Sequence, residues 1–118
     1  MKQITVDGVV YIPQDSAHQM AQSVDNMPFV LIRGYSSGVQ YGYLKERNGC
    51  EVVLINSRRI WSWSGATETG QIAVNGIDAN NSKVTCIVPE KTITDAIEII
   101  NITSEGATNL IAQPIWKK

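Results

Sequence analysis

Arg33, Arg58, Arg59, Tyr35, Tyr41, Trp61 and Trp63 are the side chains in this sequence whose types and spacing can do chemistry. Guanidinium groups fork onto phosphate or carboxylate oxygens. Flat rings stack on a base, and each stacked base contributes about 1–3 kcal/mol. Period-two alternation puts Arg59, Trp61 and Trp63 on one face of a strand, and Arg58 and Ile60 on the other. In an earlier strand Phe29, Leu31, Arg33 and Tyr35 share a face, where a charge in an apolar row marks an edge or a pocket. Val39, Tyr41, Tyr43, Lys45 and Arg47 share a face of the strand that follows. Ser36, Ser37, Gly38 and Gly42 are small enough to let the backbone approach an anion or another chain. The expected ligand-binding set is therefore Arg33, Tyr35, Ser36, Ser37, Tyr41, Arg58, Arg59, Trp61 and Trp63, and the ligand size it fits is a nucleotide.

A packing role stands beside each of these assignments. Trp61 and Trp63 fit core or interface anchors covered by Arg58 and Arg59 as cation–π lids. Tyr35 and Tyr41 fit an ordinary cross-strand pair, and residues 36–38 an ordinary tight turn. Trp116, two positions before Lys118, must dock on its own core or on a partner.

Catalysis and metal binding find little support. His18 is the one histidine and falls in a peripheral segment, where it reads as a solvated side chain and not as the hinge of a Ser-His-Asp triad. One histidine and two distant cysteines do not make a zinc cage. No dinucleotide, P-loop or nucleophile-elbow motif occurs; Gly34-Tyr-Ser-Ser-Gly38 leads into a strand and not a helix. An enzymatic reading would rest on Glu46, Glu51 or Asp95 as a base. The expectation is a protein without cofactor that binds and does not catalyse.

The elements that must position these residues follow from turn chemistry and periodicity. Residues 2–6 and 9–12 flank Asp7-Gly8 and predict a hairpin. Residues 14–25 carry Ala17, Met20, Ala21 and Val24 at helical spacing and predict a helix with a weak apolar stripe, an oligomer contact in one reading. Residues 29–35, 39–47 and 50–56 predict three strands of a meander, with Asn48-Gly49 as the strongest hairpin signal. Residues 59–63 continue the third strand or begin a fourth. Ile72, Ala73 and Ile77 fit a short helix closed by Gly76. Residues 84–88 predict a short strand, and the β-branched run 93–102 a long one. Thr103 or Ser104 caps a last helix running to Ala112, before Pro114. The fold class expected is mainly β, α+β: an antiparallel meander with an N-terminal helix and one or two short helices. A single domain spans 1–118, with the hairpin and helix in 1–27 and the β core in 28–116.

A hydrophobic content of 43% and a charged content of 18% fit a folded chain with one core. The longest apolar runs, residues 29–32 and 52–55, are far short of the ~20 residues a spanning helix needs. The net charge of −1 argues against binding long nucleic acid, but not against one small phosphorylated ligand. No leader pattern opens the chain, which places it in the cytoplasm by default, with Cys50 and Cys86 reduced, buried and inert.

The run Leu31-Ile-Arg-Gly-Tyr-Ser-Ser-Gly-Val-Gln-Tyr-Gly-Tyr-Leu44, then Asn48-Gly-Cys-Glu-Val-Val-Leu54, then Ser57-Arg-Arg-Ile-Trp-Ser-Trp-Ser-Gly-Ala66 resembles a family of small phage and prophage proteins of unassigned function. Ile97-Glu-Ile-Ile-Asn-Ile-Thr103 and Pro114-Ile-Trp116 fit it too, so the resemblance covers residues 28–116. In size, β content and arginine-plus-aromatic composition the chain is also similar to the first Thoeris anti-defence family. That likeness implies an oligomeric protein that sequesters a cyclic ADP-ribose or cyclic oligonucleotide immune signal in the infected bacterial host; it assigns no residue here. The alternative expectation is a protein-interaction module, an inhibitor or virion-associated adaptor, using Trp61 and Trp63 as a hot spot.

Overall fold

The computed structural model describes residues 4–6, 9–11 and 19–117, with side chains from Gln19 onward. Strands β1 (Ile4–Val6) and β2 (Val9–Tyr11) pair antiparallel with Val6 opposite Val9, which is the N-terminal hairpin expected around Asp7-Gly8. His18 lies outside the described residues, as does the first part of the helix expected at 14–25.

The rest of that expected helix is not helical. Ala21 donates its amide to the Ile102 carbonyl at 2.9 Å and Met20 bridges to Thr103, so the segment runs extended beside the sheet. Asp25 and Asn26, at φ 51° and 64°, then turn it back between Val24 and Met27. Asn and Asp tolerate this left-handed region, and a weak apolar stripe cannot outcompete backbone partners at a sheet edge.

The main sheet is built from the meander β3 (Phe29–Gly34), β4 (Val39–Asn48) and β5 (Glu51–Ser62), extended by β6 (Lys83–Val84), β7 (Val88–Ile93) and β8 (Ala96–Asn101). All pairs are antiparallel, in the order β6-β5-β4-β3-β8, with β7 also on β5. The twelve residues of β5 thus serve β4 on one side and, on the other, β7 along residues 52–57 and β6 at residues 60–62.

The strand expected at 84–88 is two pieces. The chain leaves the ladder after Val84, where Thr85 bonds the Arg59 backbone, and rejoins it at Val88. The long strand expected at 93–102 is also broken, at Thr94-Asp95, and its two parts pair with opposite sides of the meander.

That break reveals the shape of the sheet. Tyr35 donates to the Asp95 carbonyl at 3.0 Å and Ala96 donates to the Cys50 carbonyl at 3.0 Å. Two consecutive residues therefore tie the entry of β4 to its exit, although ten straight residues would span about 33 Å. β4 and β5 must bend, and they do so at register shifts around Gly42 and Lys45. A Cβ on Gly42 would stand 3.0 Å from the Ile55 carbonyl oxygen and 3.2 Å from Ser57 Cα, so glycine lets the two strands approach closely at the bend.

Curling buries both faces. The concave face holds Val30, Ile32, Val52, Leu54, Ile93 and Ala96. The convex face, with Phe29, Leu31, Tyr41 and Ile60, is covered by α1 (Thr69–Asn75) and α2 (Ser104–Ile111) through Ile72, Ala73 and Leu110. Glu68 caps α1, Gly76 closes it, and Thr103 caps α2. Gly106 lets the helices touch, because a Cβ there would overlap the Ala73 carbonyl. Cys50 and Cys86 are free and exposed, contrary to the expectation of burial: Cys50 lies in the β4–β5 turn and Cys86 in the break between β6 and β7, outside the two faces that pack.

Candidate functional site

The second half of β5 carries the arginine and tryptophan cluster, and alternation sends the two arginines to opposite faces. Arg58 points to the convex side and is 4% exposed. Its Nε donates to the Thr85 carbonyl at 2.8 Å, Nη1 to that of Gln113 at 2.8 Å, and Nη2 to that of Pro114 at 3.2 Å. With its donors taken by the chain itself, Arg58 is a structural anchor and not a phosphate ligand. Tyr41 is likewise removed from the expected site: it is 1% exposed, and its hydroxyl donates to the Leu110 carbonyl at 2.7 Å. Burial raises its phenol to about 12, against the opposing charge and hydrogen bond of Arg58.

Arg58 nevertheless helps to build the site. By holding the Gln113 and Pro114 carbonyls it fixes the C-terminal segment beside β6, where Trp116 donates its amide to the Val84 carbonyl at 2.8 Å. Trp116 then stacks on Trp61 with ring centroids 6.1 Å apart and planes 20° from parallel. The ammonium of Lys83 lies 5.3 Å from the Trp116 ring centroid, a cation–π contact. Trp61 remains 61% exposed. Beside it opens a cavity of about 230 Å³ lined by Ser36, Ser37, Gly38, Arg59, Ile60 and Trp61.

Arg59 lies across from Gln40, which shares the concave face with Ile32. Its Nε is buried without a hydrogen-bond partner among the described residues. The Ser36-Ser37 turn lines the same cavity, but its polar groups are engaged. Asp95 Oδ2 accepts from the Ser36 amide at 2.6 Å, the Ser37 amide at 2.9 Å and the Ser36 hydroxyl at 3.0 Å, and Oδ1 accepts from the Ser37 hydroxyl at 2.6 Å. These donors, led by the Ser37 hydroxyl, hold the Asp95 carboxyl well below the usual carboxylate range. Ser36 and Ser37 shape the cavity wall, and their expected role as anion donors is already filled by Asp95.

Arg33 and Trp63 stand apart, on the convex side. They line a second cavity of about 360 Å³ with Thr67, Glu68, Thr69 and Glu98. Arg33 lies 3.6 Å from the Glu98 carboxylate, and the Trp63 indole donates to the Ala66 carbonyl at 3.2 Å. Tyr35, 85% exposed, lines neither cavity. Of the nine expected residues, the structure brings Ser36, Ser37, Arg59 and Trp61 together.

The residues that complete this neighbourhood carried no signal in the sequence. Ser57 and Arg59 point to the concave side because a positive φ at Asn56 (53°) and the register shift at Gly42 reset the alternation. Lys91 reaches the same place from β7 and donates to Gln40 Oε1 at 2.7 Å. A third hollow, of about 480 Å³, lies elsewhere between Val24, Phe29, Tyr43, Ala107 and Ile111 and has no charged lining.

The model of a family described as a domain of unknown function (DUF6948) matches residues 27–110. No curated protein and no solved structure matches the chain.

Proposed function

The chain belongs to the DUF6948 family, domains of unknown function, and we propose that it binds a small phosphorylated ligand with a planar base and sequesters it without cleaving it. The base stacks on the exposed face of Trp61, which Trp116 backs from the other side, and the guanidinium of Arg59 takes the phosphate. The observation that carries this reading is an exposed, stacked indole on the same cavity as an arginine whose Nε has no hydrogen-bond partner among the described residues. A cavity of about 230 Å³ takes the phosphate end of such a ligand and leaves the base on the ridge outside.

The ligand class is a cyclic nucleotide or cyclic ADP-ribose type immune signal, and the setting is a phage-encoded anti-defence protein in the cytoplasm of the infected bacterium. Stoichiometric capture needs a rigid pocket and no general base. Self-association accompanies this reading; it is supported by the exposed apolar side chains Met20, Val24 and Ile111.

The test is thermal shift and titration against cyclic nucleotides and cyclic ADP-ribose isomers, with mass analysis of the ligand released on heating. A ligand at 100 times its Kd stabilises the fold by about 2.7 kcal/mol. Trp61→Ala is expected to abolish that shift while leaving the unliganded Tm in place. Recovery of a cleaved ligand overturns sequestration. No shift with any member overturns the nucleotide reading in favour of a protein partner docking on Trp61 and Trp116.

A further inference from the structure

The concave side of the curled sheet changes character along its length. One end is the apolar core around Val30, Ile32, Leu54 and Ile93. The other carries Gln40, Ser57, Arg59 and Lys91. Gln40 and Ser57 are fully buried, and the Ser57 hydroxyl, like Arg59 Nε, has no hydrogen-bond partner among the described residues. An unpartnered buried polar group is costly, and two in one neighbourhood point to something that fills both. Gln40 is already used: its amide donates to the Ser37 carbonyl at 3.3 Å and its oxygen accepts from Lys91 at 2.7 Å.

Charge points the same way. Among the described residues neither Arg59 nor Lys91 takes part in an ion pair, because Glu98 faces Arg33, Glu90 faces Lys45, and Asp95 faces the two serines. Two cations therefore meet at the rim of a buried face with no carboxylate between them. Burial, and after it the charge of Arg59, lowers the Lys91 pKa, as expected for an ammonium lacking an anion.

We infer that Arg59, Lys91 and Ser57 form a phosphate-class oxyanion site at this end of the sheet, entered through the cavity between Trp61 and residues 36–38. Arg59 and Lys91 donate to the anion with charge assistance, Ser57 adds its hydroxyl, and Gln40 holds the Lys91 ammonium in place. The inference deepens the nucleotide reading by placing the phosphate, but it does not depend on the Trp61 ridge.

Inorganic phosphate and pyrophosphate, titrated into the full chain by calorimetry and thermal shift against chloride at equal ionic strength, test it. The parent is expected to bind both, pyrophosphate more tightly. Lys91→Met is expected to weaken binding at least tenfold. Ser57→Ala removes a hydroxyl with no hydrogen-bond partner among the described residues, so it keeps the fold and still weakens binding severalfold; it decides the matter should Lys91→Met not fold. Absence of a phosphate-specific response in the parent, or parental affinity in Ser57→Ala and Lys91→Met, overturns the site. Phosphate binding that needs Lys91, with no nucleotide held more tightly than phosphate, sustains the site and refutes the base-stacking ridge. Nucleotide binding that needs Trp61 but not Lys91 does the reverse.

Discussion

Replacing Arg58 by alanine separates a structural arginine from a ligand arginine. The substitution strips donors from three carbonyls, those of Thr85, Gln113 and Pro114. A fully buried acceptor left unpaired costs about 2 kcal/mol, and a partly buried one that water can reach about 0.5 kcal/mol. Loss of the two packed methylenes beyond Cβ adds about 2 kcal/mol, and relief of guanidinium desolvation returns a similar amount. The net loss is about 3 kcal/mol. For 118 residues the unfolding entropy is about 0.25 kcal/mol per degree, so the Tm is expected to fall by roughly 12 °C. Arg59→Ala, which removes an Nε donor without a hydrogen-bond partner among the described residues, is expected to stay within about 2 °C of the parent on the same scale. Scanning calorimetry of both variants is the assay. Because Arg58 also holds the segment that carries Trp116, its loss should shift tryptophan emission to the red as the indole pair opens. An Arg58→Ala protein that melts with the parent, or an Arg59→Ala protein that loses more stability than it, would refute the assignment of the two roles.

Three further outcomes follow from the same geometry. Asp95 is held below its ordinary pKa, so the stability it supplies is present above the unfolded value near 4 and is lost as pH falls through the folded value; Asp95→Asn should flatten the decline of Tm measured between about pH 5 and pH 2. Tyr41 is raised to about 12, so its stabilising neutral form is complete below about pH 10 and lost between about pH 10 and pH 12. Tyr41→Phe should cost about 1 kcal/mol at neutral pH and remove that alkaline loss, both read from Tm against pH. Gly106→Ala forces a methyl group against the Ala73 carbonyl and should cost about 2 kcal/mol by parting the two helices, measured by chemical denaturation.

The meander was legible because its signals are local. The β4–β5 hairpin falls beside the Asn48-Gly49 signal but one residue later than a turn centred on that pair, because Asn48 pairs with Glu51 and the loop is Gly49-Cys50, with Gly49 at φ 62°; Thr103 and Gly76 cap the helices as their residue types predict. The corner at Thr94-Asp95 was not legible. An isoleucine-rich run reads as one strand, and the contact that bends it joins Asp95 to Ser36 and Ser37, 59 and 58 positions away. Arg58 and Arg59 are the same residue type in adjacent positions; only the phase of β5 and the return of Gln113 and Pro114 tell them apart. Lys91, Gln40 and Ser57 lack any local pattern because three different strands bring them together. Trp116 could be seen to need a dock, but not that the dock was Trp61.

The corner also sets a timetable for synthesis. β3 and β5 leave the ribosome with their outer margins unpaired, and the partners that cover them, residues 83–101, follow only after the stretch that contains α1. At about 5–20 residues per second, the nascent meander waits for seconds with adhesive backbone on both flanks. Crowding of polysomes at this stage raises the risk that neighbouring nascent chains pair with each other before residues 83–101 arrive.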